Sequence, residues 1–190
     1  ARLNHAPMDK TGTTTFRPFH QPVPISHLAG RRFCPLRHTP MHDWHQQAGA
    51  LFMHAGNWLR PEYYKTSGPD RESAILAEAI HVRRAVGMVD VGTLGKLQIS
   101  GPDAVIFLER IYTGHFRKLV VGKLRYCLAC DETGVIIDDG IVARLAEDLF
   151  YVTATSSGAA AFYRELQRWA LRWGMDVTLA NLTGHLGAMN

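Results

Sequence analysis

The sequence predicts an α+β fold, a mixed or antiparallel sheet with packed helices, and three observations predict it. Apolar residues alternate on both sides of the Asp131-Glu132-Thr133-Gly134 turn, as in a hairpin. Ile75, Ala79, Val82 and Val86 recur at helical spacing, and so do Phe162, Leu166, Trp169, Ala170 and Trp173. These segments interleave with antiparallel hairpins and do not repeat a strand–helix–strand unit.

Taken in order, residues 1–59 are rich in Pro, His, Thr and Gly, and Pro7, Pro18, Pro22, Pro24, Pro35 and Pro40 interrupt any regular period. They read as an extended Pro-rich arm before a domain at 60–190. Phe16, Phe19, Leu28, Phe33, Leu51, Phe52 and Trp58 are its anchors, on a partner or on its own domain. Regular structure is expected from near Asp70, with a helix over 71–86 capped by Asp70 or Ser73 and closed by Gly87. A strand follows in MVDVGTLGKLQISG, with a loop at 92–95, and Pro102 opens a short helix carrying Val105, Leu108, Ile111 and Tyr112. The hairpin pairs Leu124–Cys130 with 135–142. After a turn at Glu147-Asp148 come a strand in FYVTAT, a helix that stops at Gly174, and a strand in MDVTLANLT.

Composition narrows the function classes. With 190 residues, 46% hydrophobic, the chain suits one domain with a sizeable core. A net charge of +4 from 21 basic and 17 acidic residues, without a run of five like charges, suits a small anionic ligand or an ordinary solvated surface. No basic, aromatic-interleaved stripe points to nucleic acid, and no apolar run is long enough for a membrane span or a secretory signal. Cys34, Cys127 and Cys130 make no even disulfide framework, so a reducing, cytoplasmic setting is expected. There is no phosphate loop, no dinucleotide fingerprint and no GxSxG.

The informative feature is Asp138-Asp139 inside an apolar strand, since burying ionised carboxylates is costly unless they are paired or used. If the turn closes without a bulge, Cys130 faces Val135 and Tyr126 faces Asp139, with Cβ atoms about 5 Å apart. On a strand buried on both faces, that pair is either a local hydrogen bond or a ligand site. Asp138 points to the other face, so the two are not a shared-proton dyad: one caps the turn or pairs with Arg125 or Arg144, while the other does chemistry. Cys127 and Cys130 fall on opposite faces and read as small buried residues. His42 and His45 lack a third metal ligand, so no metal is assigned, and Lys96 reads as a surface or site-edge charge.

MVDVGTLGKLQISGPDAVIFLERIYTG, RYCLACDETGVIIDDGIVARLAEDLFYVTAT and LTGHLGAMN resemble the N-terminal half of the folate-binding aminomethyltransferase domain of glycine-cleavage T-protein and its relatives. Within that superfamily, GTTTFRP, RHTPMHDWHQQAGALF, WLRPEYY, Gly140 and Thr155 resemble the alpha subunits of heterotetrameric sarcosine oxidases. The resemblance implies that Asp139 is the key aspartate and that Tyr126 lines the pterin slot. It places Thr155, where asparagine is commoner, at a third lining position, with Asp138, Leu94 and Tyr112 around them. It implies tetrahydrofolate as the bound cofactor, with FAD or FMN and NAD confined to the parent complex. It also implies a longer polypeptide, with an NAD-binding region before the arm and the second half of the folate domain after this chain.

The activity implied is acceptance of the one-carbon unit of oxidised sarcosine, giving 5,10-methylenetetrahydrofolate and glycine. The implied partners are a beta-like flavin subunit or the rest of the alpha chain. The rival readings are a stand-alone T-protein-like aminomethyltransferase and a non-catalytic fragment that docks on a partner subunit.

Overall fold

The computed structural model describes residues 37–55 and 57–190. Residues 1–36 of the expected arm, with Cys34, GTTTFRP and the anchors Phe16, Phe19, Leu28 and Phe33, lie outside the described residues.

Regular structure begins at Arg37, not near Asp70. Strands β1 (Arg37–His38), β2 (Ala50–Ala55) and β3 (Trp58–Tyr64) form a small sheet in the order β1-β3-β2, with β1 parallel and β2 antiparallel to β3. A boundary at 59/60 falls inside β3. Proline did not prevent this sheet because Pro61 pairs with Phe52 at a bulge, where a missing N–H is tolerated. Helix α1 (His42–Gln47) packs beside it, burying His45.

Helix α2 (Arg71–Arg84) starts as expected, with Asp70 Oδ1 accepting the Ser73 N–H at 2.9 Å. It ends two residues before the expected Val86, and Ala85 leaves it extended, so Gly87 is not its cap. Its expected core face is absent. Ala74 is the buried residue, and Ala79, Val82 and Val86 are exposed. Helical spacing established the helix but not a partner for its apolar stripe.

The larger sheet has the order β5-β6-β7-β4-β8, every neighbour antiparallel. Its strands are β4 (Gly95–Ser100), β5 (Leu124–Cys130), β6 (Ile136–Ala146), β7 (Leu149–Ala154) and β8 (Thr178–Asn181). Helices α3 (Ala104–Ile111) and α4 (Ala159–Trp173) cover one face, where Phe107, Leu108, Phe162 and Leu166 meet Leu97, Val142, Phe150, Val152 and Leu179 in a continuous core. The opposite face carries Tyr126, Leu128, Asp139, Ile141, Tyr151, Thr153 and Gln98, by strand alternation and register. All of these are half-buried or exposed, so the strand is not buried on both sides.

The hairpin register differs from the bulge-free one by two residues. Asp131 donates its N–H to the Val135 carbonyl, which puts one extra residue in the loop, and Gly134 takes a left-handed φ of +87° there. A bulge between the Ala129 and Cys130 pairings adds another on β6. Tyr126 therefore faces Ile141, and Asp139 faces Leu128. A slip of two keeps Asp139 and Tyr126 on one face, whereas a slip of one would have separated them.

Candidate functional site

At the open face, the Tyr126 hydroxyl hydrogen-bonds to Asp139 Oδ2 along the diagonal of the hairpin, not directly across it. The bond to the carboxylate holds the phenol above its ordinary pKa. Tyr126 is 63% exposed and Asp139 half-buried. Among the described residues, no partner occupies the other oxygen of Asp139.

The strand beside this pair is irregular for a reason visible in the sequence. A Cβ on Gly140 would lie 2.1 Å from the Thr153 carbonyl oxygen, so only glycine lets β6 and β7 approach so closely. The regular β6–β7 pairing begins beyond it, at Val142 opposite Val152. Side chains complete the ladder before that point: Ile141 N donates to Thr153 Oγ1 at 2.8 Å, and Thr155 N donates to Asp138 Oδ1 at 3.0 Å.

Asp138 is buried on the helix-covered side, as alternation requires. Its partners are backbone N–H groups, those of Asp139 at 2.8 Å and Thr155 at 3.0 Å, and not an arginine. Arg144 instead spends its guanidinium on the carbonyls of Leu119, Ala146 and Glu147. Burial pushes the Asp138 carboxyl above its ordinary pKa, and the two N–H bonds and the neighbouring Thr155 hydroxyl oppose that only in part. Tyr112 lies on this same buried side, against Phe116 and Phe162, and burial followed by the nearby Asp138 charge raises its phenol strongly. It does not share the open face with Tyr126 and Asp139.

Leu94 and Thr155 sit on neighbouring loops. Thr93 and Ser156 join those loops through a hydroxyl–hydroxyl bond of 2.9 Å. The Leu94 loop is held from below by Lys96, which is 1% exposed and donates to the carbonyls of Gly92 at 2.7 Å and Leu94 at 2.9 Å. Lys96 is thus a buried clamp and not a surface charge, and burial lowers its pKa. Asp90 anchors the start of the loop, accepting from Thr39 Oγ1 at 2.6 Å and Gly92 N at 2.7 Å, with His45 Nε2 at 2.9 Å. Burial alone would raise the Asp90 carboxyl, but these bonds outweigh it and hold it below the ordinary range. Because His45 also bonds Tyr64 through Nδ1 at 2.6 Å, both its ring nitrogens are engaged within the protein.

The structure thus brings Asp139 and Tyr126 together, puts Leu94 and Thr155 on joined loops, and sets Tyr112 behind the sheet. Sequence reasoning missed Asp90 and Thr153, read Lys96 as a surface or site-edge charge, and weighed His45 only as a metal ligand. Only Asp90 had a local signal: an aspartate two residues before a glycine, whose carboxylate takes that N–H. A cavity of about 460 Å³ lies on the helix side, lined by Ile137, Gly158, Phe162, Trp169 and Trp173 among others, away from Asp139.

An α+β domain with a carboxylate–phenol pair on an open sheet face is the architecture at hand, and comparison places it. The chain belongs to the GCVT N-terminal domain family, whose model matches residues 41–190. It is 44% identical over 184 residues to the sarcosine oxidase subunit alpha of Corynebacterium sp. (strain P-1), covering 94% of this chain and 19% of that protein. To the subunit alpha of Rhizobium meliloti (strain 1021) it is 42% identical over 188 residues, covering 95% and 19%. An aminomethyltransferase of Parafrankia sp. (strain EAN1pec) is 36% identical over 69% of this chain and 34% of its own length. The crystal structure of glycine cleavage system aminomethyltransferase T from Bartonella henselae matches with a TM-score of 0.69 at 29% identity, over 77% of this chain and 38% of that one. The chain spans about a fifth of the length of the two alpha subunits.

Proposed function

We propose that this chain is the part of a sarcosine oxidase alpha-type flavoenzyme that binds tetrahydrofolate and accepts the one-carbon unit of oxidised sarcosine, yielding 5,10-methylenetetrahydrofolate and glycine. The observation that carries the reading is Asp139: a carboxylate on an open face, one oxygen held by Tyr126 and the other without a donor among the described residues. A reduced pterin carries N–H donors on a flat ring, and a free carboxylate oxygen beside an exposed phenol and Leu128 suits both properties. Reduced folate supplies the nucleophilic nitrogen that takes up the methylene group.

In this reading Asp139 orients the pterin, stabilises the positive charge that develops on it, and holds or returns a proton. Tyr126 keeps the Asp139 carboxylate in place and offers a ring for packing. Leu94 and Thr155 line the neighbouring loops, and Tyr112 acts on the site only through Asp138. Flavin, NAD and the groups that oxidise the amine belong to other parts of the complex, a beta-like flavin subunit or the rest of an alpha-length chain. The greater identity with the alpha subunits favours this over a stand-alone aminomethyltransferase.

Calorimetric titration of this chain with a stable reduced folate, with Asp139→Asn as control, tests the reading. Binding that weakens about tenfold or more in the variant supports it, on the scale of a charge-assisted hydrogen bond. Equal binding by both proteins, or none by a folded chain, removes it. In the complete enzyme, Asp139→Asn is expected to abolish folate-dependent methylene transfer and to leave amine oxidation largely intact.

A further inference from the structure

Behind Asp139, on the helix-covered side, two polar atoms are buried with no hydrogen-bond partner among the described residues: Asp138 Oδ2 and the Tyr112 hydroxyl. Asp138 is 4% exposed and Tyr112 5%. Buried polar atoms are nearly always bonded to protein or to an ordered water, so two orphans coupled electrostatically call for an explanation. The other oxygen of the same carboxyl is fully engaged, taking the N–H of Asp139 and of Thr155.

Gly158, which precedes α4, shows how tightly this corner is built. A Cβ there would fall 2.5 Å from Thr155 Oγ1 and 2.7 Å from Asp138 Oδ2, closer than real Cβ contacts come. Its φ of −82° and ψ of −27° suit any residue, so room and not backbone conformation excludes a side chain.

We propose that Asp138 is the positioning residue of the open-face site: its Oδ1 sets the backbone of Asp139 and Thr155, and its Oδ2 hydrogen-bonds through one water to Tyr112. The functional part of this inference rests on the folate reading of Asp139. The Tyr112 O–H is a donor and Asp138 Oδ2 an acceptor, so one water between them satisfies both. One buried carboxyl then spans the sheet, tying a phenol on one side to the acid that works on the other.

The test is amide hydrogen exchange at Asp139 and Thr155, together with reduced-folate titration, in this chain and its variants. Asp138→Asn keeps an acceptor at Oδ1 and places an N–H₂ donor at the position of Oδ2. Exchange and folate affinity are expected to stay within about threefold of the parent. Asp138→Leu removes both functions; exchange at the two amides should speed up about tenfold or more, with Val142 and Val152 amides unchanged, and folate should bind about tenfold more weakly. Should the leucine variant fail to fold, Asp138→Ala makes the same test with a smaller side chain, and faster exchange at both amides is again expected.

Unchanged exchange at both amides in Asp138→Leu, or in Asp138→Ala where it replaces that variant, overturns the proposal. So does an asparagine variant as impaired as the leucine one. A parent chain that binds no folate removes the one-carbon reading, while the exchange rates still decide whether Asp138 positions Asp139.

Discussion

On the helix-covered face of the larger sheet, Leu97, Val142, Phe150 and Val152 are fully buried; on the other face their strand neighbours Gln98, Ile141, Tyr151 and Thr153 are half-buried. The adjacent aspartates divide in the same way. Asp138 is sealed behind the sheet and spends one oxygen on two backbone N–H groups, whereas Asp139 stands in front with an exposed phenol as its partner. One face is packed under helices and the other is left open. The difference teaches that a carboxylate pair in sequence need not be a pair in chemistry: the pleat separates them, and each is set by what covers its side.

Large-to-small substitution should break this symmetry most strongly. Phe150→Ala, in the core, is expected to cost about 3–5 kcal/mol in urea unfolding, and Ile141→Ala, on the open face, less than about 1 kcal/mol. Similar losses at the two positions would mean that the open face is as structural as the covered one.

A pH series sharpens the contrast between buried carboxyls. The folded-state pKa of Asp138 is raised by burial above the ordinary 3.8, so its contribution to stability is fully present below about pH 3.8 and is lost as pH rises through the raised value. Relative to Asp138→Asn, the parent chain should therefore lose stability as pH rises from about 4 toward neutrality, measured by urea unfolding at each pH. Asp90 has the opposite sign. Its folded value lies below 3.8, so its contribution is present above that pH and is lost on acidification. A gap between parent and Asp138→Asn that does not change with pH would contradict the buried-acid account.

A smaller effect is expected at the turn that sets which residues share a face. Gly134→Ala places a Cβ at φ +87° and should destabilise by roughly 1 kcal/mol, with faster amide exchange at the β5–β6 turn. The smallest effect on the fold belongs to Tyr126→Phe. Its melting temperature should match the parent's, while reduced-folate affinity falls a few-fold as the Asp139 carboxylate loses its tether. A variant that melts early instead would assign the pair to structure.

Much of the larger sheet was legible because its periods are local. The hairpin, the strand in FYVTAT, the helix that stops at Gly174 and the strand after it follow from alternation, spacing and turn residues, and the structure has them as β5–β6, β7, α4 and β8. The smaller sheet was not legible: proline-rich stretches argue against strands, and Pro61 is accommodated only by a bulge between β2 and β3. The register of the hairpin escaped for a related reason, since a five-residue turn segment and a bulge each move the pairing by one. Their sum left Asp139 and Tyr126 on one face, so the expected juxtaposition survived a wrong register.

By itself the sequence determined the α+β class, the positions of the principal elements of the larger sheet, the opposition of Asp138 and Asp139, and the family resemblance. These depend on periods of two and 3.6 residues and on motifs that are contiguous along the chain. Tertiary structure alone decided that the Asp139 face is open, that Lys96 is a buried clamp tied to carbonyls, that Ala79 and Val82 on α2 and Val86 beyond it are exposed, and that Asp138 bonds to backbone and not to an arginine. The physical reason is that alternation tells which residues share a side, whereas burial and hydrogen-bond partners depend on what distant segments bring to that side.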